Sequence, residues 1–136
     1  MLPRDEIYQG YSVKWLVNVD KNVALIQPLE GEGPWPEISV PLADGMRVLQ
    51  ERTHAAIDAA LNVQNVIAET ASQNSIPDYL VPTMGVSRQD GTPHIEVANA
   101  YHFVVCERGS ERERRSTSDL DELLGWVRRA MDRSVG

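Results

Sequence analysis

Residues 98–133 read ANAYHFVVCERGSERERRSTSDLDELLGWVRRAMDR, and within that run a strand, a turn, a charged strand and a helix succeed one another. Tyr101 to Cys106 is apolar and aromatic enough for a strand covered on both faces, and Gly109-Ser110 gives it a place to turn back. Glu111 to Thr117 then reads as a polar strand at or near a sheet edge. Ser118 or Asp119 offers a side-chain oxygen to the free backbone N–H groups of a first helical turn, with an acid three places on. In the helix that follows, Leu120, Leu123, Leu124, Val127 and Met131 recur at the spacing of one face. Asp119, Asp121 and Glu122 sit at its positive end, and Arg128, Arg129 and Arg133 at its negative end. The pattern predicts that this helix packs on the sheet holding Tyr101 to Cys106.

Upstream, the signal from Glu6 to Leu29 is β. Tyr8, Tyr11, Val13, Trp15, Leu16 and Val17 form a first strand, Asn18 to Asn22 a turn, and Val23 to Ile26 a second strand that stops at Pro28. Glu30-Gly31-Glu32-Gly33-Pro34-Trp35-Pro36-Glu37 is too rich in glycine and proline for regular structure and reads as an exposed loop. Glu37 to Leu42 alternates and returns as a short strand, confined by its prolines to an edge or to its ends. Asp44 caps a long helix from about Gly45 to Ser72. Its stripe is Met46, Leu49, Ala56, Ala60, Val63 and Ile67, widened by Val48, Ile57, Leu61 and Val66. Ser75-Ile76-Pro77-Asp78 ends it, because the residue before a proline avoids the α region. Tyr79 to Val86 is the next predicted strand, Gln89 to Pro93 a turn, and Ile95 to Glu107 one long strand. The order predicts an α+β fold in one domain, an antiparallel sheet of about five or six strands with two helices packed on one face.

Bulk composition narrows the function. A chain of 136 residues, 42% hydrophobic and 24% charged, can bury a core without staples. A net charge of −7 argues against a nucleic-acid partner, whose phosphates it would repel, and fits a basic protein partner or plain solubility. Apolar runs fall short of the roughly 20 residues of a membrane span, and Pro3-Arg4-Asp5-Glu6 does not open a signal peptide, so a cytoplasmic location is expected. The single cysteine, Cys106, excludes an internal disulfide and a cysteine metal cage.

The C-terminal run also carries a family resemblance. Tyr101-His102-Phe103-Val104-Val105-Cys106-Glu107-Arg108-Gly109, the arginine-rich segment after it, and Asp119-Leu120-Asp121-Glu122-Leu123-Leu124-Gly125-Trp126-Val127 resemble the end of bacterial immunity proteins of polymorphic-toxin systems. There a Y-H-Y-V-V-x-E-R-G strand leads to a D-L-D-E-L-L-Y-W helix. The resemblance covers about a quarter of the chain, and Gly125 stands where that pattern has a tyrosine. It implies a binding protein that neutralises a secreted toxin.

Reactive centres are few. His102 and Cys106 share one side of a strand, but four residues of strand span about 13 Å, beyond the hydrogen-bond reach that activates a thiolate. His54 or His94 could approach Cys106 from elsewhere, although a lone cysteine in an apolar run is most often a core residue. Glu51 and His54 have the Glu-x-x-His spacing of carboxylate-bridged metal sites, yet the motif occurs once, beside Asp58 on a polar face. No metal or cofactor is expected. Gly31-x-Gly33 precedes no helix and so cradles no phosphate. Arg108, Arg112, Arg114 and Arg115 alternate with Glu107, Glu111 and Glu113, the mixed signs of a protected edge strand.

What this leaves is a patterned acidic domain suited to binding. Glu30, Glu32, Trp35 and Glu37 put three carboxylates and an indole on a segment stiffened by Pro34 and Pro36, which lowers the entropic cost of docking. Tryptophan is enriched at energetic hot spots, and an acidic rim would steer it to a basic cleft. The alternative is that Trp35 folds back over the sheet edge to plug the core, since large aromatics seldom stay in water. The favoured reading is a cytosolic immunity protein, not an enzyme, that binds its toxin one-to-one as a monomer and occludes the active site. The alternative is a small acidic secretion chaperone, dimeric and holding an unfolded effector or toxin segment. An enzyme assembled from Cys106 and a distant histidine comes third.

Overall fold

The computed structural model describes residues 2–29, 37–85 and 88–135. Among the described residues eight strands and two long helices follow in order: β1 (Glu6–Tyr8), β2 (Tyr11–Asn18), β3 (Lys21–Pro28), β4 (Ile38–Pro41), α1 (Gly45–Asn74), β5 (Thr83–Met84), β6 (Asp90–Val97), β7 (Tyr101–Glu107), β8 (Ser110–Thr117) and α2 (Leu120–Val135). The strands form two four-stranded sheets, ordered β1-β2-β3-β4 and β5-β6-β7-β8, so the single sheet of five or six strands predicted above is corrected. Proline accounts for the break. Pro41 closes β4, and β5 is only two residues long beside Pro82, so neither edge can extend a ladder to the other sheet.

In the first sheet, Tyr11, Val13 and Trp15 face α1, opposite Pro28, Ile26 and Ala24, and β4 adds Ile38 and Val40. The expected first strand is cut at Gln9-Gly10. The turn expected over Asn18 to Asn22 shrinks to Val19-Asp20, with Asn22 buried in the ladder. β4 lies at the edge, as its prolines predict.

α1 buries Leu49, Ala56, Ala60, Val63 and Ile67 of the expected stripe, with Ile57 beside them and also Thr53 and Ala59, while Met46 is only half-buried. Its alanines bring it close to β3 and β4 on one side and to β6 and α2 on the other. Asp44 does not cap it: a 3-10 turn at Leu42–Asp44 leads in, leaving Asp44 helical with no capping bond. The far end runs to Asn74. Ser75 adopts a left-handed φ of 52°, and Ile76 N–H returns to the Ala71 carbonyl at 3.0 Å.

The predicted strand from Tyr79 is instead a 3-10 turn at Asp78–Leu80 followed by β5, which runs parallel to β6. Pro77 and Pro82 remove the N–H groups a continuous ladder needs. Ile95 to Glu107 is likewise two strands, joined by a turn at 98–100 closed by Ala98 N–H on the Ala100 carbonyl. β7, β8 and α2 follow the predicted order, with β8 at the sheet edge. Asp119 is the cap, its Oδ1 accepting from Asp121 N–H at 3.0 Å. Leu123, Leu124, Val127 and Met131 are buried and join both sheets and α1 in one core cluster.

Candidate partner-binding surface

Of the four residues expected to meet a partner, Glu37 is exposed just ahead of β4. Glu30, Glu32 and Trp35 lie outside the described residues. The loop departs beside the β1–β2 turn, where Leu29 N–H donates to the Gly10 carbonyl at 3.0 Å.

β1 is fastened to α1 by a mixed aromatic and acidic cluster. His54 Nε2 meets Glu6 Oε1 at 2.9 Å, and the Tyr8 hydroxyl donates to Asp58 Oδ1 at 2.9 Å. The Tyr8 and His54 rings stack with centroids 4.2 Å apart, and Trp15 closes the His54 edge. The Asp58 hydrogen bond, before burial, raises the Tyr8 hydroxyl above its ordinary pKa, since the carboxylate rewards the protonated phenol. Glu51 pairs with Arg47, not with His54, so the Glu-x-x-His spacing converges on nothing. Among the described residues no cluster of three potential ligands is placed to hold a metal.

The outer face of the second sheet carries a polar ladder that sequence reading missed. His94 is opposite Val104, and Val104 opposite Arg114, while Glu96, His102 and Ser116 form the next row. Buried His94 Nε2 lies 2.8 Å from Glu96 Oε2, and Glu96 Oε1 accepts from Arg114 Nη1 at 3.3 Å. The His94 bond first, then Arg114, hold the Glu96 carboxyl down at about 2 against the burial that opposes them. Arg114 is raised in turn, chiefly by its bonds to Glu111. The alternation of His94 and Glu96 with Ile95 and Val97 was available as a signal, but Pro93 suggested that the strand began later. His102 Nδ1 meets Ser116 Oγ at 2.7 Å, so all three imidazoles have hydrogen-bond partners other than half-buried Cys106.

A cleft of about 230 Å³ lies where the two sheets approach, lined by Ile38, Arg52, Ala56, Asn99, Tyr101 and Ser118. Asn99 Oδ1 accepts the Ser39 N–H at 3.2 Å and ties β4 to the β6–β7 turn. A second cavity, about 250 Å³, lies between α2 and its sheet. There Trp126 packs edge-on against Phe103, and the Arg115 guanidinium sits 5.9 Å from the Trp126 ring centre.

Residues 98–135 match the family model described as Immunity protein 63. The match spans the 98–100 turn, β7, β8 and α2, the segment whose sequence resembles immunity proteins, and it supports a toxin-immunity role in general. No curated protein matches the chain. No solved structure matches it either. Among the described residues no helix is long and apolar enough to cross a membrane.

Proposed function

We propose that this chain is a cytoplasmic immunity protein that binds a cognate secreted bacterial toxin domain and occludes its active site. The observation that carries this reading is the family match over the strand-turn-strand-helix segment. It agrees with the net charge of −7, which favours a basic partner cleft. In this reading Glu30, Glu32, Trp35 and Glu37 enter that cleft, and the chain acts as a monomer, one copy per toxin, with no turnover of its own.

The test is binding between the purified chain and the toxin domain encoded beside its gene, together with protection of cells expressing that toxin. A tight one-to-one complex and survival are expected; absence of both would sink the proposal. Within the complex, Trp35→Ala should weaken binding by about tenfold or more through faster dissociation. Replacing Glu30, Glu32 and Glu37 by Gln should mainly slow association and flatten its salt dependence. Rates unchanged by either set of substitutions would place the interface elsewhere.

A further inference from the structure

Three hairpins of this chain turn in two residues: Gln9-Gly10, Val19-Asp20 and Arg108-Gly109. Their leading residues all have left-handed φ, at 50°, 47° and 52°. Gln9 and Arg108 are unbranched at Cβ and are followed by glycine, which fits such a turn without cost. The β2–β3 turn has no glycine, and its leading residue is β-branched. A branched Cβ crowds the backbone in this region, so valine is among the poorest choices for the position. Asparagine would make the same turn comfortably. The fold regains nothing by the choice, because Val19 is 92% exposed.

Val19 does not stand alone. Val17 is 51% exposed and Leu42 45%, and Leu42 N–H donates to the Asp20 carbonyl at 3.2 Å, which brings the corner after β4 beside the turn. One end of the first sheet thus presents three aliphatic side chains, with exposed Asp20 within the turn and exposed Asp44 just beyond Leu42. A strained, solvent-facing apolar residue unsupported by its own fold points to a role in contact with another molecule.

We infer that the β2–β3 tip is an aliphatic knob that seats Val19 in an apolar socket of the toxin, a socket with a basic rim complementary to Asp20 and Asp44. This rests on the toxin-binding reading. It is distinct from the acidic loop: Glu37, the loop's described residue, precedes Ile38, which pairs with Ala24, four residues along β3 from Asp20. Valine offers no hydrogen-bonding group, so the socket floor is aliphatic, and contact there slows dissociation more than it speeds encounter.

The experiment compares wild type, Val19→Asn and Val19→Ile for binding to the toxin domain encoded beside the gene, and for melting temperature. Val19→Asn should bind about tenfold more weakly or worse yet melt a few degrees higher, since the turn is relieved. Val19→Ile keeps the aliphatic surface and should hold its affinity with no gain in melting temperature. Wild-type binding with undiminished Val19→Asn affinity overturns the knob and leaves the toxin reading standing. Equal losses for Asn and Ile overturn the aliphatic socket, and a lower melting temperature for Val19→Asn overturns the strain behind it. If wild type itself does not bind, both readings fall.

Discussion

Glu96 stands between a buried imidazole and a guanidinium, and its carboxylate serves both. A carboxyl held near 2 against an ordinary value of 4.5 stabilises the fold above about pH 4.5, and that contribution is lost as pH falls from 4.5 toward 2. Its side chain is only 20% exposed, so the ceiling is of order 3 kcal/mol, reduced because Arg114 is 39% exposed. Glu96→Gln should therefore cost about 2 kcal/mol at pH 7. In paired acid titrations its melting curve should converge on that of wild type between pH 4.5 and pH 2; a constant offset would assign the loss to packing. The Thr53 hydroxyl has the opposite effect. It is buried in α1, and among the described residues it has no hydrogen-bond partner. Thr53→Val keeps the shape and removes the unpaired group, so it should raise stability by about 1 kcal/mol in urea unfolding. Neither residue was legible beforehand. Thr53 sits inside an apolar stripe as if it were a small core residue, and the role of Glu96 depends on a strand start that Pro93 obscured.

At the scale of elements, α2 is the best specified and also holds one soft position. Its apolar face, acidic first turn and Asp119 cap agree with one another, yet Gly125 lies in its interior. A Cβ there would meet Arg129 Nη2 at 3.9 Å, an ordinary contact with a movable side chain. Gly125→Ala should thus stabilise the protein by about 0.5 to 1 kcal/mol, seen as a higher denaturant midpoint with an unchanged slope. A loss of stability would mean that the helix needs close approach at Gly125. The same agreement between levels explains which elements sequence reading found. β7, β8 and α2 carry hydrophobic period, turn residues and caps that point one way. The segment from Ile95 to Glu107 misleads because Ala98-Asn99-Ala100 turns with neither glycine nor proline, relying on its own backbone bond and on the Asn99 bond to Ser39. Tyr79 to Val86 misleads in the other direction, since its β-favouring residues are overridden by Pro77 and Pro82.

Across the whole molecule, the separation into two sheets was not legible because strand count and alternation do not say which edges meet. What joins the halves is α1, whose Ile57, Ala60 and Val63 share a core cluster with Trp15, Ile26 and Ile38 of the first sheet and with Ile95, Phe103, Leu123 and Val127 of the second half. The segment that matches the immunity-protein family is therefore not independent of the rest. Its helix turns Leu123, Val127 and Met131, each 0% exposed, toward a core that the preceding residues complete. Severed from them, residues 98–136 keep a hairpin and an amphipathic helix with no opposite wall. A chain of about 40 residues without disulfide or metal rarely folds alone. The isolated segment should show little helix by circular dichroism, whereas the intact chain should unfold in one transition whether followed by helix signal or by tryptophan fluorescence. Cooperative folding of the segment by itself would overturn the shared core and recast the N-terminal sheet as an attachment. If the core is shared in this way, Val127→Ala, costing about 2 kcal/mol, should lower the denaturant midpoint equally by both signals, because loss of packing under α2 weakens the first sheet as well.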